Sequence, residues 1–221
     1  MQIKHYLIIL IAIPILMASS CGEKPKKSNF FKLKQDFLDY AYFKTGSYWI
    51  YKDSVTGELD THTVIYDEII DRANFLNDNP ENDREEMFIS DVSRTYSNDV
   101  VVVQGQNCWE GEEHRPNVHC GWVDMAGPLG NVDICRFKPV INHSNTNGTV
   151  TAFYMSFLLD SIEYTEVQVL HIASNKVDSG FRTYIYFAGG IGIVKKRIFT
   201  RPITGPHYWR VWQLTDYQIV Q

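Results

Sequence analysis

Apolar and polar residues alternate along most of the chain after residue 30, which is typical of strands with one buried face. The clearest case is 164–172, where Val167 and Val169 alternate with Glu166 and Gln168. Other strands are predicted at 47–53, 60–71, 86–96, 100–104, 120–125, 134–141, 149–158, 181–187, 191–200 and 208–220.

One segment, 31–42, has a spacing closer to that of a helix, because Phe31, Leu33, Phe37, Leu38 and Ala41 approximate one face. Segment 74–86 is rich in acidic residues and asparagine and contains a proline, so we predict a solvated loop there.

Turn signals separate the predicted strands. Val55-Thr56-Gly57 predicts a hairpin between 47–53 and 60–71, and Asp178-Ser179-Gly180 predicts a turn before 181–187. Asn147-Gly148 is the strongest hairpin signal and predicts that 135–141 pairs with 149–158. Gly189-Gly190 superficially resembles a phosphate loop, but the following residues continue as a strand rather than a helix, so a tight bend is predicted.

About ten strands joined by short turns, with one helix, predict a mainly β protein. We expect a single antiparallel β domain, either an open barrel or half-barrel or a sandwich, with one N-terminal helix.

The N-terminus has the organisation of a secretory signal. Lys4 precedes an uninterrupted apolar run of 13 residues, 6–18, which is shorter than the roughly 20 residues that a membrane-spanning helix needs. Small residues 18–20 then lead to Cys21, a pattern that resembles a bacterial lipobox. The resemblance implies cleavage before Cys21 and lipidation of its thiol. The predicted organisation is a lipoprotein signal peptide at 1–20, a lipidated tether at 21–29 and the β domain at 30–221.

Two blocks carry a further resemblance. The segment GSYWIYKDS at 46–54, and the later run that contains GIGIVKK and ends in WQLTDY, are similar to segments of uncharacterised Bacteroidota outer-membrane lipoproteins. That family implies an envelope protein with an open β-barrel shape and no defined activity. By the same resemblance, Gly22 implies sorting to the outer membrane, and the lack of an acidic cluster in the tether favours the periplasmic face.

Composition narrows the function classes. With 44% hydrophobic and 21% charged residues in 221, the chain can bury a core and is not disordered as a whole. Its net charge of −5 argues against a nucleic-acid binder, which usually presents a basic surface.

The three cysteines after Cys21 allow at most one disulfide within the chain. Cys108–Cys120 closes the shortest loop, and a fully reduced set that includes Cys135 is the alternative. Cys108, Cys120 and two histidines also form the most metal-like set, Cys108, His114, His119 and Cys120. Their spacing fits no usual zinc pattern, so a loop with surface histidines is the simpler interpretation.

No nucleophile motif such as G-x-S-x-G occurs, and His62, His171 and His207 are each isolated along the chain. Aromatic residues on predicted strands are the remaining binding signal, either as core or as a cleft for an apolar or carbohydrate ligand: Tyr48, Trp49, Tyr51, Tyr184, Tyr186, Trp209 and Trp212. Two Asp-Ser-apolar tripeptides resemble Bacteroidota O-glycosylation sites, at Ser54 and Ser161.

The sequence thus predicts a non-enzymatic, lipid-anchored envelope protein that binds a ligand or an envelope partner and needs no cofactor. The alternatives are a metal-dependent enzyme that uses the Cys108–Cys120 segment, and a structural component of an envelope complex.

Overall fold

The computed structural model describes residues 29–73, 83–110, 115–127, 130–137, 149–173, 182–200 and 206–221. These residues form twelve strands and one helix. In chain order the elements are β1 (Asn29–Phe31), α1 (Gln35–Ala41), β2 (Tyr48–Asp53), β3 (Leu59–Ala73), β4 (Asp83–Arg94), β5 (Asp99–Glu110), β6 (Arg115–Gly127), β7 (Gly130–Phe137), β8 (Thr149–Leu159), β9 (Ile162–Ala173), β10 (Arg182–Ala188), β11 (Gly192–Thr200) and β12 (Tyr208–Gln218).

All the strands belong to one sheet, in the order β7-β6-β5-β4-β3-β2-β12-β11-β10-β9-β8, and β1 pairs in parallel with the beginning of β4. Every other pairing is antiparallel. The prediction of a mainly β protein with one antiparallel domain and one helix is confirmed. The single open sheet corresponds to the half-barrel form of that prediction rather than to the two-sheet sandwich.

The sheet curls around its helix. Strands β4 and β10 are five strand spacings apart, or about 24 Å if the sheet were flat. Phe88 of β4 and Phe187 of β10 nevertheless pack in one cluster with Phe37 and Tyr40 of α1, a helix only about 10–12 Å across. The face that carries α1 is called the inner face below, and the opposite one the outer face.

The open side of the sheet lies between its two edge strands, β7 and β8. The backbone of β7 comes close to β9 and β10, but no pairing between described residues closes the sheet. No helix among the described residues has the length and apolar character that a membrane crossing requires.

The predicted helix is too long. Residues 29–31 form β1 instead, and Lys34 before the helix has an extended backbone (φ −78°, ψ 146°). The Leu33 N–H donates to the Glu86 carboxylate at 3.0 Å, so this segment is tied to β4 before the helix starts.

The prediction of a solvated loop at 74–86 is wrong for its C-terminal residues. Strand β4 begins at Asp83, and Glu85, whose backbone is flanked by β1 on one side and β3 on the other, is completely buried. Residues 74–82 lie outside the described part of the chain.

The Asn147-Gly148 hairpin prediction is also wrong in its pairing, since β7 and β8 are the opposite edges of the sheet. Strand β8 instead pairs along its length with β9 through a two-residue turn at Asp160 and Ser161, both with positive φ (46° and 72°). Such a turn matches the twist of the two strands and fixes their pairing locally. Asn147 and Gly148 themselves lie outside the described residues.

The other turn predictions have different outcomes. The hairpin at residues 54–58 joins β2 and β3 as expected. Residues 189–191 form the predicted bend between β10 and β11, where Gly190 takes a φ of +71°. The turn proposed at 178–180 is outside the described residues, although β9 and β10 do pair antiparallel.

Candidate functional site

The strand register gathers charged residues on the inner face of the sheet. Side chains of directly opposed residues in neighbouring strands share a face, and alternate residues along one strand do as well. The opposed pairs that build this row are Arg94 with His62, Asp60 with Tyr51, Asp53 with Trp212, and Trp212 with Lys196. Five neighbouring strands, β4, β3, β2, β12 and β11, therefore contribute charged or aromatic residues to one row.

These side chains surround a cavity of about 290 Å³, which we call the wide cavity. Isoleucines of β10 and β11 form the apolar walls, and the polar groups come from β3, β4, β12 and, through Lys196, β11 itself. Its lining residues are Tyr51, Asp60, His62, Arg94, Tyr96, Ser97, Ile185, Ile193, Lys196, Ile198, Arg210 and Trp212.

A narrower cavity of about 60 Å³ adjoins it towards the helix and shares Tyr51, His62 and Ile193 with it. Its walls are almost entirely apolar and include Phe88. Besides Tyr51 and His62, its polar residue is Ser90, whose buried hydroxyl has no hydrogen-bond partner within the described part of the chain.

Two aromatic side chains fix β2 against the far side of the site. The Trp49 indole N–H donates to the Ile191 carbonyl at 2.5 Å, and the Tyr51 hydroxyl donates to the Ile193 carbonyl at 2.9 Å. Both bonds pass over β12, which lies between β2 and β11 in the sheet. The cavity walls on the two sides of β12 are thus connected.

His62 and Asp60 form a hydrogen-bonded pair in the wall between the two cavities. The His62 Nε2 lies 2.9 Å from the Asp60 carboxylate. Burial lowers the pKa of His62 despite this carboxylate, and the nearby cations Lys196 and Arg94 lower it further. Burial alone would raise the pKa of Asp60, but the hydrogen bonds from His62 and from the Tyr96 backbone N–H outweigh it and hold that pKa below its usual value.

Arg210 is held by carboxylates on one side and aromatic rings on the other. Its guanidinium pairs with the fully buried Asp53 and, at 3.0 Å, with Glu58. The same group stacks 4.8 Å from the ring centres of both Tyr96 and Trp212. The ion pair and the stacking fix the aromatic wall of the wide cavity.

Arg94 and Lys196 are the other two cations of the site. Arg94 is engaged by Asp99, to which its Nε donates at 2.8 Å. Lys196 forms no ion pair or hydrogen bond with any described residue. Burial lowers the pKa of Lys196, and the positive charge of Arg94 lowers it further.

The predicted aromatic binding residues are divided between the two faces. Trp49, Tyr51 and Trp212 line the inner cavities, whereas the others do not line either cavity: Tyr48, Tyr184, Tyr186 and Trp209. On the outer face, Tyr184 stacks on His171 at 4.7 Å and contacts Trp209 at 5.8 Å, with Arg197 over the Trp209 ring. Because successive side chains of a strand point to opposite faces of the sheet, the inner and the outer aromatic residues cannot form one cleft.

The proposed metal segment lies on strands rather than in the expected loop. Cys108 is in β5, where its backbone pairs with Asn117, and His119 and Cys120 are in β6. Cys135 is in β7 and pairs with Val123. The side chains of these residues, and all of His114, lie outside the described part of the chain. Among the described residues, no cluster of three or more His, Cys, Asp or Glu side chains could hold a metal ion.

Both candidate glycosylation serines are exposed in turns, Ser54 after β2 and Ser161 between β8 and β9. Cys21 and the tether up to residue 28 lie outside the described residues.

The charged residues of the wide cavity were not recognised as a site from the sequence. The alternation of Asp60, His62 and Val64 does place them on one face of a strand. The rest of the site comes from β12 and β11, which lie about 150 residues further along the chain, and the sequence does not show that they approach β2. Comparison of the chain with protein-family models, curated proteins and solved structures gives no match.

Proposed function

We propose that this protein is a lipid-anchored cell-envelope protein whose β domain binds a small ligand, without catalysis, in the wide cavity of the inner face. One observation carries the ligand-binding part. Charged groups taken out of water cost free energy unless they are paired, and a fold gains nothing in stability by placing four of them, Asp60, Arg94, Lys196 and Arg210, around a cavity. Their presence around a cavity of about 290 Å³ is characteristic of a binding site.

The anchoring part rests on the sequence. A short apolar segment that ends in small residues and Cys21 favours a lipid-modified cysteine, with the β domain carried on a polar tether at the outer membrane and facing the periplasm. Cys21→Ala should move the protein from the membrane fraction to the soluble fraction, and Cys108→Ala should leave it in the membrane. Retention of the Cys21→Ala protein in the membrane would contradict lipid anchoring.

Ligand binding is tested by filling the cavity. Ile198 lines the wide cavity, whereas its chain neighbour Phe199 contacts Trp209 on the outer face at 5.2 Å. Native mass spectrometry of the protein purified from its own membranes should show a bound small molecule. We expect Ile198→Trp to lose that molecule and Phe199→Trp to keep it. Equal retention by both variants, or no bound molecule in the unaltered protein, would contradict the proposal.

A further inference from the structure

All but one of the charged side chains that line the wide cavity form an ion pair or a hydrogen bond with another described residue. Arg94 forms an ion pair with Asp99, Arg210 forms ion pairs with two carboxylates, and Asp60 forms a hydrogen bond with His62. Lys196 differs from the other cations of the site, since no described residue forms an ion pair or hydrogen bond with it. The ammonium group of Lys196 is therefore available to hydrogen-bond a ligand in the cavity.

The position of Lys196 in the sheet places its ammonium group at the wall of the wide cavity. It lies directly opposite Trp212 on one side and Ile185 on the other, and all three line the wide cavity. Partial burial deprives its ammonium of water, so an anion that enters the cavity restores the lost interactions. Asp60 and Asp99 attract Lys196 from a distance, and Arg94 repels it.

The remaining walls suit a flat apolar body. Trp212 and Tyr96 meet edge to face with ring centres 5.0 Å apart, and Ile185, Ile193 and Ile198 form the other side. A cavity of about 290 Å³ has the volume of about ten water molecules, which limits the occupant to a small molecule.

We propose, on the basis of the ligand-binding function above, that the wide cavity takes a small monoanionic acid, with its acid group on Lys196 and its apolar body on Trp212. One ammonium group without a direct partner suits a ligand with a single acid group. A dianion such as a phosphate monoester would bring a second charge for which the described residues offer no free cation, so a carboxylate is favoured.

The test uses the full lipidated chain in detergent micelles and isothermal titration calorimetry with two probes of the same shape, naphthalene-2-acetate and its neutral amide. We expect the acid to bind one per chain and at least about tenfold more tightly than the amide, the gain of one charge-assisted contact. Lys196→Met should abolish this preference while the amide still binds, which shows that the variant is folded. Lys196→Arg should retain the preference.

Lys195→Met is the matched control. Lys195 is the chain neighbour of Lys196, but its ammonium lies 5.6 Å from the centre of the Tyr186 ring, outside the two cavities. This variant should keep the preference for the acid. Equal affinity of the unaltered protein for acid and amide would overturn the monoanion inference and leave ligand binding intact. No binding of either probe at millimolar concentration would overturn both.

Discussion

The close contact between Phe88 and Gly105 gives a sharp test of the fold. The two residues are directly opposed in β4 and β5, and the Phe88 ring lies over the glycine. A Cβ added at Gly105 would lie 2.8 Å from Phe88 Cδ1 and nearer still to Cε1 and Cζ. Carbon atoms pack at about 3.5–4.0 Å, so the ring would have to move by about 1 Å or more.

The ring has little room for such a movement. Phe88 is 1% exposed and packs against Tyr42 at 5.2 Å and Phe37 at 5.9 Å between ring centres. Overpacking typically costs about 1–3 kcal/mol, and complete loss of a buried Phe side chain about 3–5 kcal/mol. We therefore expect Gly105→Ala to lower the free energy of unfolding by about 3 kcal/mol. An uncrowded glycine in a strand would instead gain about 0.5–1 kcal/mol on change to Ala.

The assay is a double-mutant cycle measured by urea unfolding, followed by tryptophan fluorescence. In the Phe88→Ala background the crowding is gone, so Gly105→Ala should be neutral or slightly stabilising. The reasoning is refuted if Gly105→Ala does not destabilise the unaltered protein, or if it costs the same in both backgrounds.

Three further predictions concern buried charges. Asp53→Asn should lower the free energy of unfolding in urea by about 3 kcal/mol, the lower end for a broken buried ion pair, because Arg210 keeps its ion pair with Glu58. A loss below about 0.5 kcal/mol would contradict this prediction. Burial raises the pKa of Glu85, and among the described residues Arg72, at 3.6 Å, is the one cation near its carboxylate. Stability should therefore fall as the pH rises above about 4.5, and Glu85→Gln should be more stable than the unaltered protein at pH 7. A less stable Glu85→Gln would refute it. Burial lowers the pKa of His62, so on acidification the unfolded state takes up the proton first and the free energy of unfolding should fall as the pH drops below about 6.5. This fall should be weaker in His62→Gln. An equal dependence of the free energy of unfolding on pH in the two proteins would contradict the prediction.

Much of the strand pattern could be predicted from the sequence because it depends on neighbouring residues. Alternation located most strands, and Val55-Thr56-Gly57 located the β2–β3 hairpin. The errors arose where contacts distant in sequence prevail. Leu33 belongs to a helix-like pattern but is bound to Glu86, and the Asn147-Gly148 signal cannot show that β8 has a better partner in β9.

The candidate site depends almost entirely on distant contacts. Asp60, His62 and Arg94 look like the solvated side of surface strands until the sheet curls and brings Lys196 opposite them. Three of the predicted aromatic residues line the cavities, but alternation alone could not show which parity faces inward. Trp209 and Trp212, three residues apart, consequently lie on opposite faces.

The location of the ligand tests the central claim most directly. The chain has five tryptophans, and 5-fluorotryptophan gives each of them a separate ¹⁹F NMR signal that Trp→Phe variants assign. On titration with naphthalene-2-acetate, a binding site in the wide cavity predicts that the Trp212 signal shifts to saturation while the Trp209 signal stays in place. A saturating shift of Trp209 with Trp212 unchanged would place binding on the outer face and contradict the account.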